Sequence, residues 1–346
     1  MHPKKNFVQD IKAGSQISDV FMVVQCRQAQ AKNGPYWQLT LQDKSGEIQA
    51  RIWSPLSARF AEISPEQAVL VKAGAQLFGE QIQLNIEAME FIDPENIDLS
   101  LFLPVSCISP EELHLNLLEF LQQNIDYPPW KKLARKILTQ KEIKSALLTA
   151  PAAKSIHHAY MGGLLEHTLS VCRICNEICG IYTDLDRDIL LTAAALHDLG
   201  KIREISHGLS REYSDEGKLL GHIFLGLEMI EPFLSRASGL DSGLVLHLKH
   251  IITSHHGELE FGSPKRPKTG ESFVLHFADN LDAKLNTLEQ ALGSRRNAEG
   301  EASGVWSEYL RSLGRYVYQP PRTPRSPSTG FTTGKKEEQC LLPLKE

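Results

Sequence analysis

The chain has little cysteine for its length, six residues among 346. That density cannot build a disulfide-stapled scaffold and fits a reducing compartment. Long hydrophobic runs are also missing. No stretch approaches the roughly 18 consecutive apolar residues of a membrane span, and Met1 to Asp10 carries Lys4 and Lys5 without the apolar run of a targeting segment. We therefore expect a cytoplasmic protein with no membrane partner. Positive charge is not in excess either: a formal net charge of −5 argues against indiscriminate coating of nucleic acid, while leaving room for a local basic channel. No internal repeat is evident. What is present is an ordinary globular composition, 42% hydrophobic and 23% charged, in a chain long enough for two domains with cores of their own.

After an N-terminal segment (1–13), residues 14–92 read as strands. Val20, Met22, Val24 and Cys26 interleave with Phe21, Val23 and Gln25 in a mostly apolar run, and Trp37 to Leu41 alternates more cleanly. Asp43-Lys44-Ser45-Gly46 supplies a turn before Ile48, Ala50 and Ile52. A short helical insert near Pro55 to Ile63 precedes two more candidate strands, Val69 to Phe78 and Gln81 to Phe91, joined at Gly79-Glu80. Five strands with a helix between the third and fourth is the plan of an oligonucleotide/oligosaccharide-binding (OB) barrel. Tyr36, Trp37 and Trp53 are candidate base-stacking platforms, with Arg27, Lys32, Arg51 and Arg59 as phosphate partners. The alternative for each aromatic is a place in the barrel core.

Residues 93–108 read as a linker holding Pro94 and Pro104, and 109–155 as connecting helices. The first is capped by Ser109 with Pro110 at its first position and carries the stripe Leu113, Leu117, Leu118, Leu121, until Pro128-Pro129 breaks it. A second, Trp130 to Leu148, opens with Lys131, Lys132, Arg135 and Lys136 on a solvated face. Residues 156–318 form one further helical region. In its first helix, Ile156 to Gly180, the wheel puts Cys172, Cys175 and Cys179 on the buried stripe, which reads as core rather than an iron–sulfur triad. His167 lies at the edge of that stripe. A helix through AAALHDLGK (193–201) follows, stopped by Gly200, and its adjacent His197 and Asp198 are metal-ligand types placed where a helix ends at a cleft. Further helices carry His222 after Ser214-Asp215, the pair His255-His256 closed by Gly257, and His276, Asp279 and Asp282 within Ser272 to Leu292. Between the last two lies a loop with Lys265, Arg266 and Lys268, which reads either as a grip on backbone phosphates at the cleft mouth or as a solvated connector. His207, His247 and His250 fall outside the pattern. Trp306, Tyr309, Leu310, Leu313 and Val317 have the spacing of a last amphipathic helix, and 319–346 has the composition of a disordered tail.

Taken together, His167, His197-Asp198, His222, His255-His256 and Asp279 on successive helices resemble the two-metal branch of the HD phosphohydrolase superfamily over about residues 150–290. With an OB barrel ahead of it, nearly the whole chain except its tail resembles the YhaM-type 3′-to-5′ exoribonuclease family. The stretches IHHAYMGGLLEHTLSV, ALHDLGK, GKLLGHIFLG, SHHGELEFGSPKRPKTGE and LHFADNLDAKLN carry that likeness. The resemblance implies a barrel followed by an all-α bundle. It implies that His167, His197, Asp198 and Asp279 hold one divalent ion and that Asp198 bridges to a second held by His222 and His255. Manganese is the first candidate, with iron, cobalt and magnesium as alternatives. His256 is left open between ligand, orienting partner and phosphate donor. A carboxylate has two oxygens and can serve two cations about 3.5–4 Å apart, which lower the pKa of a shared water toward roughly 7 for in-line attack on phosphorus. Lys201 suits the neutralising of phosphate charge, and either it or a nearby histidine can protonate the leaving 3′ oxygen. His157 and His158 are hydrogen-bonding candidates at the rim. Asp282, almost a turn beyond Asp279, reads as a partner of the ligands or of Lys284. The implied activity is metal-dependent 3′-to-5′ hydrolysis of single-stranded RNA, with single-stranded DNA and a homo-oligomer left open. The alternatives are a phosphodiesterase of small or cyclic nucleotides, which leaves the barrel unexplained, and a non-catalytic nucleic-acid-binding regulator, against which the intact ligand series speaks.

Overall fold

Alternation of apolar and polar residues builds the first of two units in the computed structural model, which describes residues 4–79, 81–93, 97–98, 101–102, 108–152, 160–205, 212–299 and 304–321. Strands β1 (Gln16–Ala31), β2 (Gly34–Asp43), β3 (Gly46–Ile52), β4 (Ala68–Phe78) and β5 (Gln81–Ile92) close into a barrel in the order β1-β2-β3-β5-β4. β1 is long enough to serve two neighbours. Its first half, Gln16 to Met22, pairs with β4, its second half, Met22 to Ala31, pairs with β2, and a register shift between Val23 and Gln25 marks the change of partner. Parallel pairing of β3 with β5 completes the closure. Inward positions at a spacing of two, such as Phe21 and Val23, Leu39 and Leu41, Val69 and Val71, fill the interior.

This is the barrel anticipated from the sequence, with two differences. The helix expected between β3 and β4 is a single 3₁₀ turn, Leu56–Arg59, pinned where Ser57 Oγ donates to the Pro35 carbonyl at 2.6 Å. Trp37, offered as a stacking platform, is core instead: it shares the inward parity of Leu39 and Leu41, is 7% exposed, and its Nε1 donates to the Phe60 carbonyl at 3.3 Å. The N-terminal segment is also built in, since Val8 and Ile11 join the barrel core and Asp43 accepts the Val8 N–H at 2.8 Å. Ile97 and Phe102 pack on Val20, Met22 and Ala68 as a small second cluster.

The second unit is helical. Its elements are α1 (Pro110–Asn124), α2 (Pro128–Leu138), α3 (Lys141–Thr149), α4 (Gly163–Ile181), α5 (Arg187–Leu196), α6 (Lys201–Glu204), α7 (Asp215–Leu234), α8 (Ser242–Thr253) and α9 (Gly270–Glu299). Side-chain caps from Ser109, Asp186, Ser214 and Asp241 fix four of the starts. Pro128 begins α2 rather than breaking a helix, as a proline in the first turn lacks an N–H that would have no partner there. The helix expected over Trp130 to Leu148 is two, α2 and α3. α5 is the axis: every residue from Ile189 to Leu196 is buried, and α2, α4, α8 and α9 pack around it. Leu113, Trp130, Ile137 and Leu147 of α1 to α3 share that one core, as do Cys172, Cys175 and Cys179. Burial raises the Cys172 and Cys175 thiols far above their ordinary range, which keeps them protonated and suits packing rather than metal ligation.

The amphipathic helix expected around Trp306 to Val317 does not form. Val305–Trp306 (β6) pairs antiparallel with Tyr318–Gln319 (β7), and Gly314 turns the chain between them at φ 63. Aromatic and β-branched residues at both ends favour a pleated pair over a helix here. Among the described residues no helix is long and apolar enough to cross a membrane.

The parity of β2 gives a test of the barrel. Trp37→Ala should cost about 3–5 kcal/mol of barrel stability in equilibrium urea unfolding, as expected for a large core deletion, while Trp53→Ala should be nearly neutral. Equal losses would mean that the two rings had been assigned to the wrong sides of the barrel wall.

Candidate metal centre

Asp198 sits in the turn that follows α5, with His197 at the helix cap. Gly200 does not stop the helix through a left-handed backbone, because its φ is −63. It is required for close approach: a Cβ there would lie 1.9 Å from the His222 carbonyl oxygen and 2.5 Å from the Gly226 nitrogen. Bare backbone at this crossing lets α7 run directly beside the doublet. α7 itself is interrupted at Gly221, whose φ of 73 is open to glycine, so His222 begins a new helical segment. Glu204 of α6 serves that segment twice. Its Oε1 accepts the backbone N–H of His222 at 3.0 Å and lies 3.1 Å from the ring Nδ1.

The other ligand types arrive from three more helices. His167 lies in the second turn of α4, buried. α8 ends at Thr253, and His255 and His256 occupy the turn beyond it. α9 supplies Asp279 and, nearly one turn on, Asp282. These parts meet on the Asp198 carboxylate and divide between its two oxygens. Oδ2 faces His167 Nε2 and His197 Nε2, both at 3.4 Å, and Oδ1 faces His222 Nε2 at 3.4 Å and His255 Nε2 at 3.7 Å. Asp279 Oδ1 is 3.2 Å from His167 Nε2 and 3.9 Å from His197 Nε2. Two groups could each hold a divalent ion: His167, His197, Asp198 and Asp279, and His222, His255 and His256.

The tautomers follow from what each Nδ1 meets. A carbonyl only accepts, so Nδ1 of His197 donates to Ala194, that of His255 to Ile252 and that of His256 to Phe261, at 2.8, 2.7 and 3.0 Å. His167 Nδ1 points at Asp282 Oδ2, 2.6 Å away. Each ring therefore turns its other nitrogen inward as a lone pair. The Nε2 atoms of His167, His197, His222 and His255 and both oxygens of Asp198 are buried without a hydrogen-bond partner. Unmatched lone pairs at this density are costly in a protein interior, and a divalent cation satisfies them together. The residues present fit a metal.

Electrostatics agree. Burial opposes the charge on Asp198, yet Lys201 and His197 first, then the adjacent His167, hold its carboxyl well below the ordinary range. Lys201 Nζ forms an ion pair with Asp198 Oδ2 at 2.7 Å. Burial alone would lower the Lys201 ammonium, but Asp198 and Asp279 outweigh it and raise it. His167 is raised in the same way: burial, which would lower it, is outweighed by Asp198, Asp279 and Asp282. On the other side His255 is held well below its usual value by burial and by His197 and His256, and His256 is lowered by burial and His222.

The structure thus brings His167, His197, Asp198, Lys201, His222, His255, His256 and Asp279 together, and makes Asp282 the partner of His167. Glu204 was missed, because nothing in KIRE signals a contact with a ring eighteen positions later that depends on the break in α7. His157 and His158 lie outside the described residues. Lys265, Arg266 and Lys268 are exposed in the loop between α8 and α9, with Arg266 Nε paired to Glu258 at 2.8 Å. On the barrel, Tyr36 and Trp53 stack with ring centroids 4.7 Å apart and the Arg51 guanidinium lies 5.9 and 5.4 Å from them, while Arg27 is exposed across β2 from that row.

Comparison with known proteins gives matching results. An HD domain matches residues 164–284. The chain is 33% identical over 314 residues to the 3′-5′ exoribonuclease YhaM of Bacillus subtilis, covering 89% of this chain and 96% of the relative. It is 34% identical over 319 residues to the 3′-5′ exoribonuclease YhaM of Oceanobacillus iheyensis, covering 92% and 98%. Among solved structures, the second OB-fold domain of replication protein A from Methanococcus maripaludis is similar over 25% of this chain and 94% of that one, at 17% identity and a TM-score of 0.23. The OB assignment rests on the strand order of the barrel itself.

Replacing the shared carboxylate tests the centre. Asp198→Ala is expected to lower divalent metal per chain, measured by elemental analysis after manganese loading and desalting, with the helical circular dichroism retained. Glu204→Ala should weaken metal uptake by about 10-fold or more through loss of ring orientation. Full metal content in Asp198→Ala would refute the convergence of both groups on that residue.

Proposed function

Because the chain belongs to the YhaM family of 3′-5′ exoribonucleases, we propose that it is a metal-dependent enzyme that removes nucleotides from the 3′ end of single-stranded RNA, using two divalent ions. The observation that carries the reading is the division of one buried carboxylate between two sets of inward lone pairs. His167, His197, Asp198 and Asp279 would hold one ion, and His222, His255 and His256, with the other oxygen of Asp198, the second. Mixed imidazole and carboxylate donors suit manganese, iron or cobalt better than magnesium, which prefers oxygen. We take manganese as the working ion. Bound there, such ions polarise phosphoryl oxygens and lower the pKa of water at neutral pH.

The remaining chemistry belongs to the chain. Lys201, held protonated by Asp198 and Asp279, supplies positive charge toward a phosphate whose own charge grows during displacement. His256, held neutral by burial and by His222, suits a ligand better than an acid. Asp282 and Glu204 keep His167 and His222 turned inward. Lys265, Arg266 and Lys268 would grip phosphates next to the scissile one without reading bases. In the barrel, Tyr36, Trp53 and Arg51, with Arg27, Lys32 and Arg59, would hold the strand by stacking and charge.

Single-stranded RNA labelled at either end tests activity and polarity. With manganese, 5′-labelled RNA should give a ladder that shortens stepwise, 3′-labelled RNA should give labelled mononucleotide at once, and chelator should stop both. Early release of a 5′-labelled mononucleotide would reverse the assignment. Replacing Lys265, Arg266 and Lys268 together by alanine should weaken strand binding equally across sequences and flatten its salt dependence, with metal content unchanged. An unaltered affinity and salt slope would reduce that loop to a connector.

A further inference from the structure

The outer wall of the barrel holds more than a stacking pair. Register places Gln38 of β2, Arg51 of β3 and Asn85 of β5 in one cross-strand row, and Thr40, Gln49, Gln83 and Gln76 in the next. Their chain neighbours Leu39, Ala50 and Leu84 fill the core, so these rows face outward. Outward rows are normally wet, yet here Gln83 is only 8% exposed, because the surface is dished. A cavity of about 140 Å³ opens there, lined by Gln38, Gln49, Arg51, Phe78, Gln81 and Gln83 among others, with no acidic side chain among the described residues. Arg51 lies 5.1 Å from the Phe78 ring as well as over Tyr36 and Trp53, so the aromatic platform and the cavity share one guanidinium. The other amides are committed in part: Gln38 Nε2 donates to Tyr36 Oη, Gln49 Nε2 to Thr40 Oγ1, and Trp53 Nε1 to Asn85 Oδ1. Gln83 is 8% exposed as a residue, and its amide, which makes no hydrogen bond among the described residues, lines the cavity and is open to it.

We propose that this cavity is a subsite for the base of one pyrimidine nucleotide of the strand, read at its edge by Gln83 and Arg51 while the neighbouring base stacks on Trp53. The inference deepens the reading of the barrel as the strand-binding unit and rests on it. Size favours a single ring: the cavity, open to solvent at its mouth, is close to the roughly 150 Å³ that admits benzene, so the second ring of a purine would stand out into water rather than be enclosed. Chemistry is compatible with that class, while size makes the choice, since a carboxamide also matches the donor and acceptor of adenine and a guanidinium the carbonyl of guanine. A carboxamide offers a donor and an acceptor, matching the paired donor and acceptor on a pyrimidine edge, and a guanidinium offers only donors. Uracil and cytosine both present a ring carbonyl to such donors, and adenine presents none.

Fluorescence anisotropy tests this with the full chain in chelator, so that the probes stay intact, using oligouridylate and oligoadenylate of about 15 nucleotides. The parent chain should favour oligouridylate. Gln83→Leu should weaken oligouridylate binding by at least about fivefold, the loss of one good base-edge contact, and leave oligoadenylate binding within about twofold. Gln49→Leu, at an exposed position, should shift the same ratio in the same direction, and it carries the test if Gln83→Leu fails to fold. Trp53→Ala should weaken both probes. If Trp53→Ala weakens both while Gln83→Leu and Gln49→Leu leave the ratio unchanged, the subsite is refuted and the barrel reading stands. If Trp53→Ala changes neither, the barrel reading falls and the subsite with it.

Discussion

A carboxylate buried to 2% exposure is the constraint from which the helical unit is built. Removing one such ion from water costs several kcal/mol even after relaxation, and the chain offsets this only by crowding Asp198 with cationic and cation-binding partners. Lys201 supplies a positive charge, and His167 and His197 face the carboxylate on the side shared with Asp279. Divalent ions would offset the cost more fully, which explains why helix ends, a kink and a bare backbone crossing all converge on one side chain.

The two sides of Asp198 are not equivalent. Toward Oδ2 the partners include Asp279, with Asp282 behind His167, so that side carries excess negative charge. Toward Oδ1 the partners are imidazoles, and Glu204 stands behind His222. Hard cations gain most from carboxylate oxygen and softer ones from imidazole nitrogen. The two sides act oppositely on their rings, raising His167 and lowering His255.

Much of this was legible in the sequence, and the exceptions have physical causes. Strands were readable because inward residues recur at a spacing of two, and the same rule separates Trp37 from Tyr36: Trp37 shares the parity of Leu39, whereas Tyr36 is offset by one and stacks outside. Ligand types on successive helices were readable because helix ends carry their own stop signals. Glu204 was not, since its role arises only when α7 breaks at Gly221 and frees an N–H for it to accept. The C-terminal hairpin was misread because Trp306, Tyr309, Leu313 and Val317 happen to keep helical spacing, while the decisive contacts, Val305 with Gln319 and Trp306 with Tyr318, are between strands.

Gly200 shows why composition at one position can matter more than any ligand. The doublet and His222 come from segments that must pass within backbone contact, and a methyl group at Gly200 would meet the His222 carbonyl and the Gly226 nitrogen well inside van der Waals range. Rigid backbone cannot yield as a side chain would, so the crossing would have to open. Opening it moves His222 away from Asp198 Oδ1, and Glu204, which tracks His222 through both the backbone N–H and the ring, would be drawn along or released. The separation of the two lone-pair sets is thus fixed by a backbone contact rather than by the ligands, and the site is spaced before any cation enters it.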